Sequence, residues 1–482
     1  MKKFTILLFF LTYQGFCQKL TLQEAIQHAK ENSPIAKQIR SSFSANQWRF
    51  EATKANLKPQ LELTGVLPGF RRSINSVLQP DGGTLFRQQS QNFSNTTLSL
   101  SQNILKSGGT ISVNSGISRI DLFNKNSLNQ GGSFWNTSPL YVQFTQPLFR
   151  INRIKWNWEQ EKISFDETTR KQLELIEDLS LEVTQKFFDL SIATLQLKNA
   201  AYNLAINDTI YNISKGRFGV GKIAENELLQ VELGLMNARN EVEKNQLTIL
   251  TSEKQLRNLL GSLDGKTIEI IIPNLIPLIE PNAEKAINEA RSNRSDYKNL
   301  ELQENQAKME VRSAEIGRRF SADLNVSLGF NQTDITLGKA FSNLQGSQTA
   351  NVNFTIPIYN SGRNRALVES AKNNLDATLE RIKNEQNIID LEVFNKVSEI
   401  KQLKTSLLIS AKADTIAQKR YEVAKNRYLI GKIDITNLTI AQQEKDQAIV
   451  AYIQTLQQYW LAYFRLRRAT LFDFVTNERI KP

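Results

Sequence analysis

Arg217-Phe-Gly-Val-Gly-Lys-Ile223 and Arg427-Tyr-Leu-Ile-Gly-Lys-Ile433 decide the fold of this 482-residue chain. Each interrupts a very long helical run. Each supplies a glycine, Gly221 and Gly431, where an α-helix needs a left-handed residue before the chain reverses. They read as matched tips of two helical hairpins, 210 residues apart. The same spacing separates Phe144-Thr-Gln-Pro-Leu-Phe149 from Phe354-Thr-Ile-Pro-Ile-Tyr359. The chain is therefore an internal duplication.

The arms leading to and from the tips are helical by periodicity and by the absence of breakers. No proline occurs between Pro147 and Pro273, or between Pro357 and Pro482. Leu173, Ile176, Ser180, Val183, Phe187, Leu190, Thr194, Leu197, Ala201 and Leu204 keep a three-four spacing, the mark of a coiled-coil seam. From Asn152 to Ser214 such a helix reaches on the order of 95 Å, too long for an ordinary compact domain. Its return arm runs from about Glu225 to Leu260 and stops at Gly261. In the second copy a helix from Arg363 to about Arg427 returns from Ile435, with Ile449, Tyr452, Leu456, Tyr459, Tyr463 and Leu466 as a packing stripe.

Each copy also opens on a helix. Thr21 with Glu24 forms a capping box, and Pro34 marks a bend or break before a second run to about Leu57. Ala286, Ile287, Ala290 and Asn293 repeat Ala25, Ile26, Ala29 and Asn32 at an offset of 261, and that helix is expected to run on to Arg318. The offset falls from 261 to 210 further along, so the first copy carries about 51 extra residues between its opening helix and Pro147. Those residues are β and turn in character. Leu61 and Leu63 alternate with Glu62 and Thr64, Leu98 and Leu100 with Ser99 and Ser101, Ile111 and Val113 with Ser112 and Asn114, and Leu140, Val142 and Phe144 with Tyr141, Gln143 and Thr145. The second copy has two such runs, Leu324–Leu328 and Val352–Ile356. Pro80-Asp-Gly-Gly83, Ser107-Gly-Gly109 and Gln130-Gly-Gly132 are turn signals, and the extra segment reads as a long surface loop carrying an added hairpin.

The organisation predicted is thus a leader over 1–17, a first repeat over 18–261 with strands at about 60–147 and a tip at 217–224, a junction over 262–281 with a short strand from Ile268, and a second repeat over 282–482 with strands at about 322–358 and a tip at 427–434. Lys2, Lys3 and the apolar run from Phe4 to Leu11 have the layout of a secretory signal peptide. Cleavage after Cys17 leaves no thiol; the alternative is a lipoprotein anchored through Cys17. The formal charge of +12 drops to +10 without Lys2 and Lys3, and it is scattered among glutamates along the helices. That is a solvated basic surface with no nucleic-acid motif. His28, the one histidine, sits on a helix as a surface or interface residue. With no catalytic triad, metal-ligand cluster or phosphate loop, the chain reads as neither an enzyme nor a cofactor binder.

No later apolar run is long enough for a membrane-spanning helix, so any membrane crossing must be made by strands. Four strands, or a few more with the added hairpin, cannot close a barrel, and open edges are not tolerated in lipid. A trimer contributing about twelve strands closes one, and the helical arms continue it as a tube. The fold class expected is mainly α with a membrane β part, internally duplicated.

The chain resembles the TolC family of outer-membrane efflux proteins over essentially all of the mature sequence. The residues that carry the resemblance are the opening from Leu20 to Pro34, the strand-to-helix junctions at Pro147-Leu-Phe and Pro357-Ile-Tyr-Asn-Ser-Gly-Arg363, and the two tips. The resemblance implies a homotrimer in the outer membrane of a Gram-negative bacterium, with a β-barrel in lipid and a periplasmic α-helical tunnel closed at its far end. It also implies tips that dock on a periplasmic adaptor, which links the duct to an inner-membrane pump. Gly219, Val220, Gly221, Lys222 and Ile223, with Leu429, Ile430, Gly431, Lys432 and Ile433, match the family's adaptor-contact tips. The family's closed entrance commonly has acids six positions past the tip glycine. Glu227 fits, Asn437 replaces the second acid, and Glu225 and Asp434 lie nearby. These acids are candidate gate residues, or they are first-turn acids that suit a helix N-terminus. Arg217 and Arg427 are candidates to bond them across the tips. Trp156 and Trp158 are either an interfacial belt or interhelical packing. Met236 and Met309 are the only methionines after the initiator, which argues against a thioether path for copper or silver. The competing reading is a non-transporting periplasmic or surface coiled-coil scaffold.

Overall fold

The computed structural model describes residues 18–123, 132–261, 268–273 and 279–481. The leader with Cys17, the residues Gln130 and Gly131 and most of the 262–281 junction, Pro277 included, lie outside them. The first copy runs β1 (Gln18–Thr21), α1 (Leu22–Asn32), α2 (Pro34–Ala55), β2 (Gln60–Leu78), β3 (Thr84–Asn103), β4 (Thr110–Leu122), β5 (Gly132–Leu148), α3 (Arg153–Gly219) and α4 (Glu225–Leu260). The second runs β6 (Ile268–Ile271), α5 (Ala283–Asn293), α6 (Ser295–Gly317), β7 (Ser321–Asp334), a short α7 (Leu337–Ala340), β8 (Gln345–Thr355), α8 (Arg363–Leu429) and α9 (Ile435–Thr470). The chain ends on a small hairpin of β9 (Phe472–Asp473) and β10 (Glu478–Arg479). The duplication is visible in these bounds. Helices α3 and α8 are each 67 residues long at an offset of 210, and α4 and α9 are each 36 residues at the same offset.

Two compact units result. The first comprises the residues up to Ser44, Glu167–Tyr297 and Glu385 onward; the second comprises Ala45–Asp166 and Lys298–Asn384. In the first unit, Thr21 caps α1 as its sequence requires: the Glu24 amide donates to the Thr21 hydroxyl at 3.3 Å, and the Thr21 amide donates to the Glu24 carboxylate at 2.9 Å. The Thr21 amide and hydroxyl hold the Glu24 carboxyl below the usual carboxylate range. That contribution to stability is present above the unfolded pKa and fades as pH falls through the depressed one. The opening helices meet the C-terminal ends of the return arms, with Ala25, Ala29, Ala286 and Ala290 fully buried beside Leu256, Leu260, Tyr459, Ala462 and Leu466. Strand β1 pairs in parallel with β6, which ties the start of the chain to the junction between the copies. A four-residue strand next to the leader carried no periodic signal.

The expected helix from Ala283 to Arg318 is broken at Arg294, which leaves helical geometry and whose amide bonds back to Ala290. Ser33 does the same at the matching place in the first copy, 261 residues earlier. Arg294 is buried and ion-paired to Asp296 and Glu392. The coiled-coil seam of α3 also needs correction. It is buried at Ser180, Val183, Phe187 and Leu190, but Thr194 and Ala201 are exposed and the buried stripe passes through Ala193 and Ala200 instead. A strict three-four spacing drifts around a straight helix, so the contact face moves along it. Two acids sit on the buried side: Glu177, 3.2 Å from Arg467 and 3.6 Å from Lys30, and Glu174, which accepts the Ser295 amide at 2.8 Å. These pairs and bonds offset part of the cost of burying the two acids, while the second carboxylate oxygen of Glu177 makes no hydrogen bond among the described residues. The aromatic stripe of α9 is core packing, with Tyr459 fully buried and its hydroxyl accepting the Ile279 amide.

The second unit is built on one antiparallel six-stranded sheet in the order β2-β3-β4-β5-β7-β8. The long surface loop expected in the first copy is not what the described residues form. Strands β2 and β3 are 19 and 20 residues long and turn through Gln79–Gly83, and β3 and β4 turn through 104–109. The few apolar residues in Ser-, Asn- and Thr-rich strands hid their length from the sequence reading. Trp158 stacks on Phe50 of α2, which stacks on Phe165 of α3, so it packs helices together.

Helix α4 ends on Gly261 at φ +71, where a Cβ would lie 2.6 Å from the Asn32 carbonyl oxygen. Gly261→Ala is therefore expected to lower the apparent melting temperature of the detergent-purified protein by the equivalent of ~2 kcal/mol or more. Gly219→Ala, which meets nothing, should leave it unchanged or raise it; equal behaviour of the two variants would contradict this account.

Candidate functional site

Both helical hairpins reverse through the same hydrogen-bonded turn. The Lys222 amide donates to the Arg217 carbonyl and the Gly221 amide to the Phe218 carbonyl, each at 2.8 Å; Lys432 to Arg427 and Gly431 to Tyr428 repeat this at 2.9 Å. This is the Schellman pattern, and it places Gly221 at φ +69 and Gly431 at φ +72. No atom lies within 4 Å of a Cβ built on either glycine, so backbone conformation alone demands glycine there. The turns leave Val220 and Ile430 about two-thirds exposed beside exposed Lys222 and Lys432, with Gly219 and Leu429 also exposed. Ile223 and Ile433 are half-buried, and Ile433 packs against the local core.

Behind the tips lies a small separate core of Ile210, Val231, Tyr421, Tyr428, Ile435 and Leu438. Arg217 lies over the Tyr428 ring at 5.7 Å rather than against an acid, and the Tyr428 hydroxyl is 3.4 Å from that of Ser214. Arg427 is exposed. Among the described residues neither arginine is within ion-pair distance of Glu225, Glu227 or Asp434. The bond across the tips expected from sequence is thus replaced by a cation–π contact. Further up the hairpins Lys445 sits over the rings of Tyr421 and Tyr202, at 4.6 and 5.2 Å, and Lys425 donates to the Tyr202 hydroxyl at 3.1 Å. The sequence reading missed this cluster. Its one signal was Tyr421 and Tyr428, a heptad apart on α8.

The three acids differ. Asp434 is the N-cap of α9: its carboxylate accepts the Asn437 amide at 2.8 Å and the Asn437 side chain at 2.9 Å. Helix α4 has Ala224 at that place and no side-chain cap, so exposed Glu225 and half-buried Glu227 occupy its first turn without a capping bond.

In the second unit the sheet register sorts the side chains onto two unlike faces. Directly paired residues point the same way. The row Leu61–Leu100–Val113–Val142–Leu328 crosses five strands, and the row Ile111–Phe144–Val326–Ala350 reaches the sixth. Leu61 and Phe354 on this face are 67% and 64% exposed, far beyond what a water-facing sheet leaves open. On the opposite face Gln60–Ser101–Ser112–Gln143–Ser327–Thr349 crosses all six strands without one apolar residue. At the helix end, Phe149 packs on Phe320 and Phe320 on Phe354, with ring centroids 5.4 and 6.1 Å apart. No helix among the described residues is long and apolar enough to cross a membrane. An apolar band facing one way, a polar face the other and aromatic rings at the margin are the pattern of a membrane barrel wall.

The family model for outer membrane efflux proteins matches residues 122–262 and 286–470. The chain belongs to that family. Among curated relatives, the outer membrane protein TolC of Escherichia coli K12 is 22% identical over 350 residues, which is 66% of this chain and 67% of that protein. TolC of Salmonella enteritidis is 23% identical over 346 residues, 65% of each. In fold the chain is similar to the Campylobacter jejuni CmeC outer membrane channel, with a TM-score of 0.66 at 15% identity over 96% of this chain and 87% of that one. It is similar also to the outer-membrane channel OprN, with a TM-score of 0.67 at 15% identity over 93% and 89%. This outer membrane efflux protein is therefore a duplicated helical fold with a β part suited to lipid. The family match begins at residue 122, so β2, β3 and nearly all of β4 precede it.

The capping difference is testable. Asp434→Ala should cost ~1 kcal/mol and speed amide hydrogen exchange at residues 435–438. Glu225→Ala, with no bond to lose, should stay within ~0.5 kcal/mol of the parent. Equal exchange in the two variants would show that Asp434 is no cap.

Proposed function

We propose that this protein is the outer-membrane duct of a tripartite efflux or type I secretion system. It works as a homotrimer that passes substrates from a periplasmic adaptor and inner-membrane pump to the exterior. The observation that carries this reading is the sheet with one apolar and one polar face, whose outer strands β2 and β8 each have a free edge among the described residues. In hydrocarbon a free edge leaves amides and carbonyls unsatisfied, at several kcal/mol for each group. Copies of the chain supply the missing neighbours, and the polar faces then line water. A soluble coiled-coil scaffold would have no use for a band of exposed leucine, valine and phenylalanine.

The tips are the docking ends in this reading. Exposed Val220 and Ile430 offer apolar contacts, Lys222 and Lys432 offer charge, and the two Schellman turns hold them in matched poses. Glu225 and Glu227 are the stronger gate candidates, because Asp434 is engaged as a cap. Tyr428, held under Arg217, packs the two hairpins together behind the tips and is the closing contact to loosen.

Single-channel conductance in planar bilayers tests the duct. The detergent-purified protein should show a small, cation-preferring conductance that grows or loses selectivity in a Glu225→Ala, Glu227→Ala, Asp434→Ala variant, with the first two acids carrying most of the effect. A sealed bilayer from protein that stays soluble without detergent would overturn the duct and favour the scaffold.

Docking is tested at the glycines. Gly221→Val or Gly431→Val forces a β-branched residue into the left-handed region at ~1–2 kcal/mol or more. Co-purification with the adaptor should fall while trimers persist. Full adaptor recovery with both variants would refute the tip assignment.

A further inference from the structure

The sheet holds more strands than the duplication accounts for. Strand β7 begins 261 residues after β2, the offset of the opening helices, whereas α8 follows α3 by 210. The second copy goes from helix to helix through two long strands and the first through four. The excess is the chain of β3 and β4, and it is built into the wall rather than laid over it. Leu98, Leu100, Ile111, Val113 and Ile117 continue the apolar face, and Ser99, Ser101, Ser112 and Asn114 continue the polar one. The polar side chains bond across the strands there, Ser99 to Asn114 at 2.5 Å and Thr110 to Asn103 at 3.0 Å.

The β3–β4 turn is fastened at the level where the other strands become helices. The Asn152 side chain donates to the carbonyls of Leu105 and Lys106 at 2.8 and 3.2 Å, Gln146 donates to that of Ser107 at 2.8 Å, and Asn103 donates to that of Asn56 at 3.1 Å. Gly108, at φ +76, lies so close to Asn152 that a Cβ would be 2.9 Å from its side chain. A hairpin destined to hang free in solvent needs neither an apolar face nor a bolted base.

We propose that β3 and β4 are full staves of the membrane barrel, and that three copies close eighteen strands, with β2 of one copy pairing with β8 of the next. The inference rests on the trimeric duct reading above and departs from the twelve strands that the sequence led us to expect. The six strands alternate in direction, so β2 and β8 run oppositely and their free edges meet as an ordinary antiparallel pair. Barrel diameter grows roughly linearly with strand number, so eighteen strands give a pore about half as wide again as twelve. In each protomer the six-stranded sheet joins the long helices at only four places, α2 to β2, β5 to α3, α6 to β7 and β8 to α8. Two strands of every six therefore stand on the 104–109 turn.

Two cysteine experiments on the full chain, whose one native cysteine is Cys17, test this. In the first, Glu62→Cys on β2 is combined in turn with Asn351→Cys, Asn353→Cys and Thr355→Cys on β8, and oxidation in membranes is expected to give covalent trimers in one register. In the second, single cysteines replace residues 98–101 and 111–114, and a membrane-impermeant thiol reagent is applied. Labelling is expected at 99, 101, 112 and 114 and lost at 98, 100, 111 and 113. Eight positions share the outcome, so no single misfolded variant decides it. Trimers with alternating labelling support eighteen strands. Trimers with uniform labelling of β3 and β4 overturn this proposal, leave the duct standing and return the barrel to twelve. No covalent trimer in any register, from protein that needs no detergent, overturns the duct and this proposal with it.

Discussion

A backbone amide in hydrocarbon has nowhere to turn for a partner, and this sets the terms for the rest of the molecule. The six-stranded sheet satisfies its interior groups but leaves β2 and β8 each with one open edge among the described residues. In water such edges are a liability that proteins blunt with charge or proline. Here they border a face of leucine, valine, isoleucine and phenylalanine that water would penalise as heavily as lipid would reward it. In the trimeric duct proposed above both problems have one solution, which is another copy of the same sheet on either side.

The helical unit answers a different constraint, that of reversing a helix 67 residues long without fraying its end. The Schellman turns at Gly221 and Gly431 satisfy the last carbonyls at the cost of a left-handed residue, which glycine tolerates. At the other end of the return arms the two copies diverge. Gly261 closes α4, while Leu471, its counterpart 210 residues on, closes α9 in a left-handed conformation at φ +47. Leu471 is buried, and a buried leucine contributes roughly 2 kcal/mol, which offsets a left-handed strain of similar size. Gly261 has no such option, because the Asn32 carbonyl occupies the space.

Duplication did not make the copies equivalent at their tips either. Asp434 caps α9, yet α4 begins on an alanine and leaves Glu225 and Glu227 uncommitted. Arg217 finds the ring of Tyr428, while its counterpart Arg427 stays exposed. A duplicated fold thus offers paired positions in which one member holds the structure and the other is free for chemistry.

Local spacing and repeats along the chain were enough to read the duplication, the helical hairpins with their glycine reversals, the Thr21 capping box and the one-sided character of the strands. All of these are written in spacings of two to seven residues or in repeats read along the chain, and no distant contact is needed to see them. Tertiary structure alone decided that β3 and β4 join the sheet, that Leu61, Leu100, Val113, Val142 and Leu328 fall in one row, and that the chain breaks at Arg294 as it does at Ser33. It also decided that Glu174 and Glu177 are buried and that Tyr428 takes the place expected of an acid. Strand register and the partner of a long side chain depend on residues tens to hundreds of positions away. A one-residue slip would turn every side chain of a strand to the other face, so local periodicity could reveal that each strand has an apolar side but not how six of them line up.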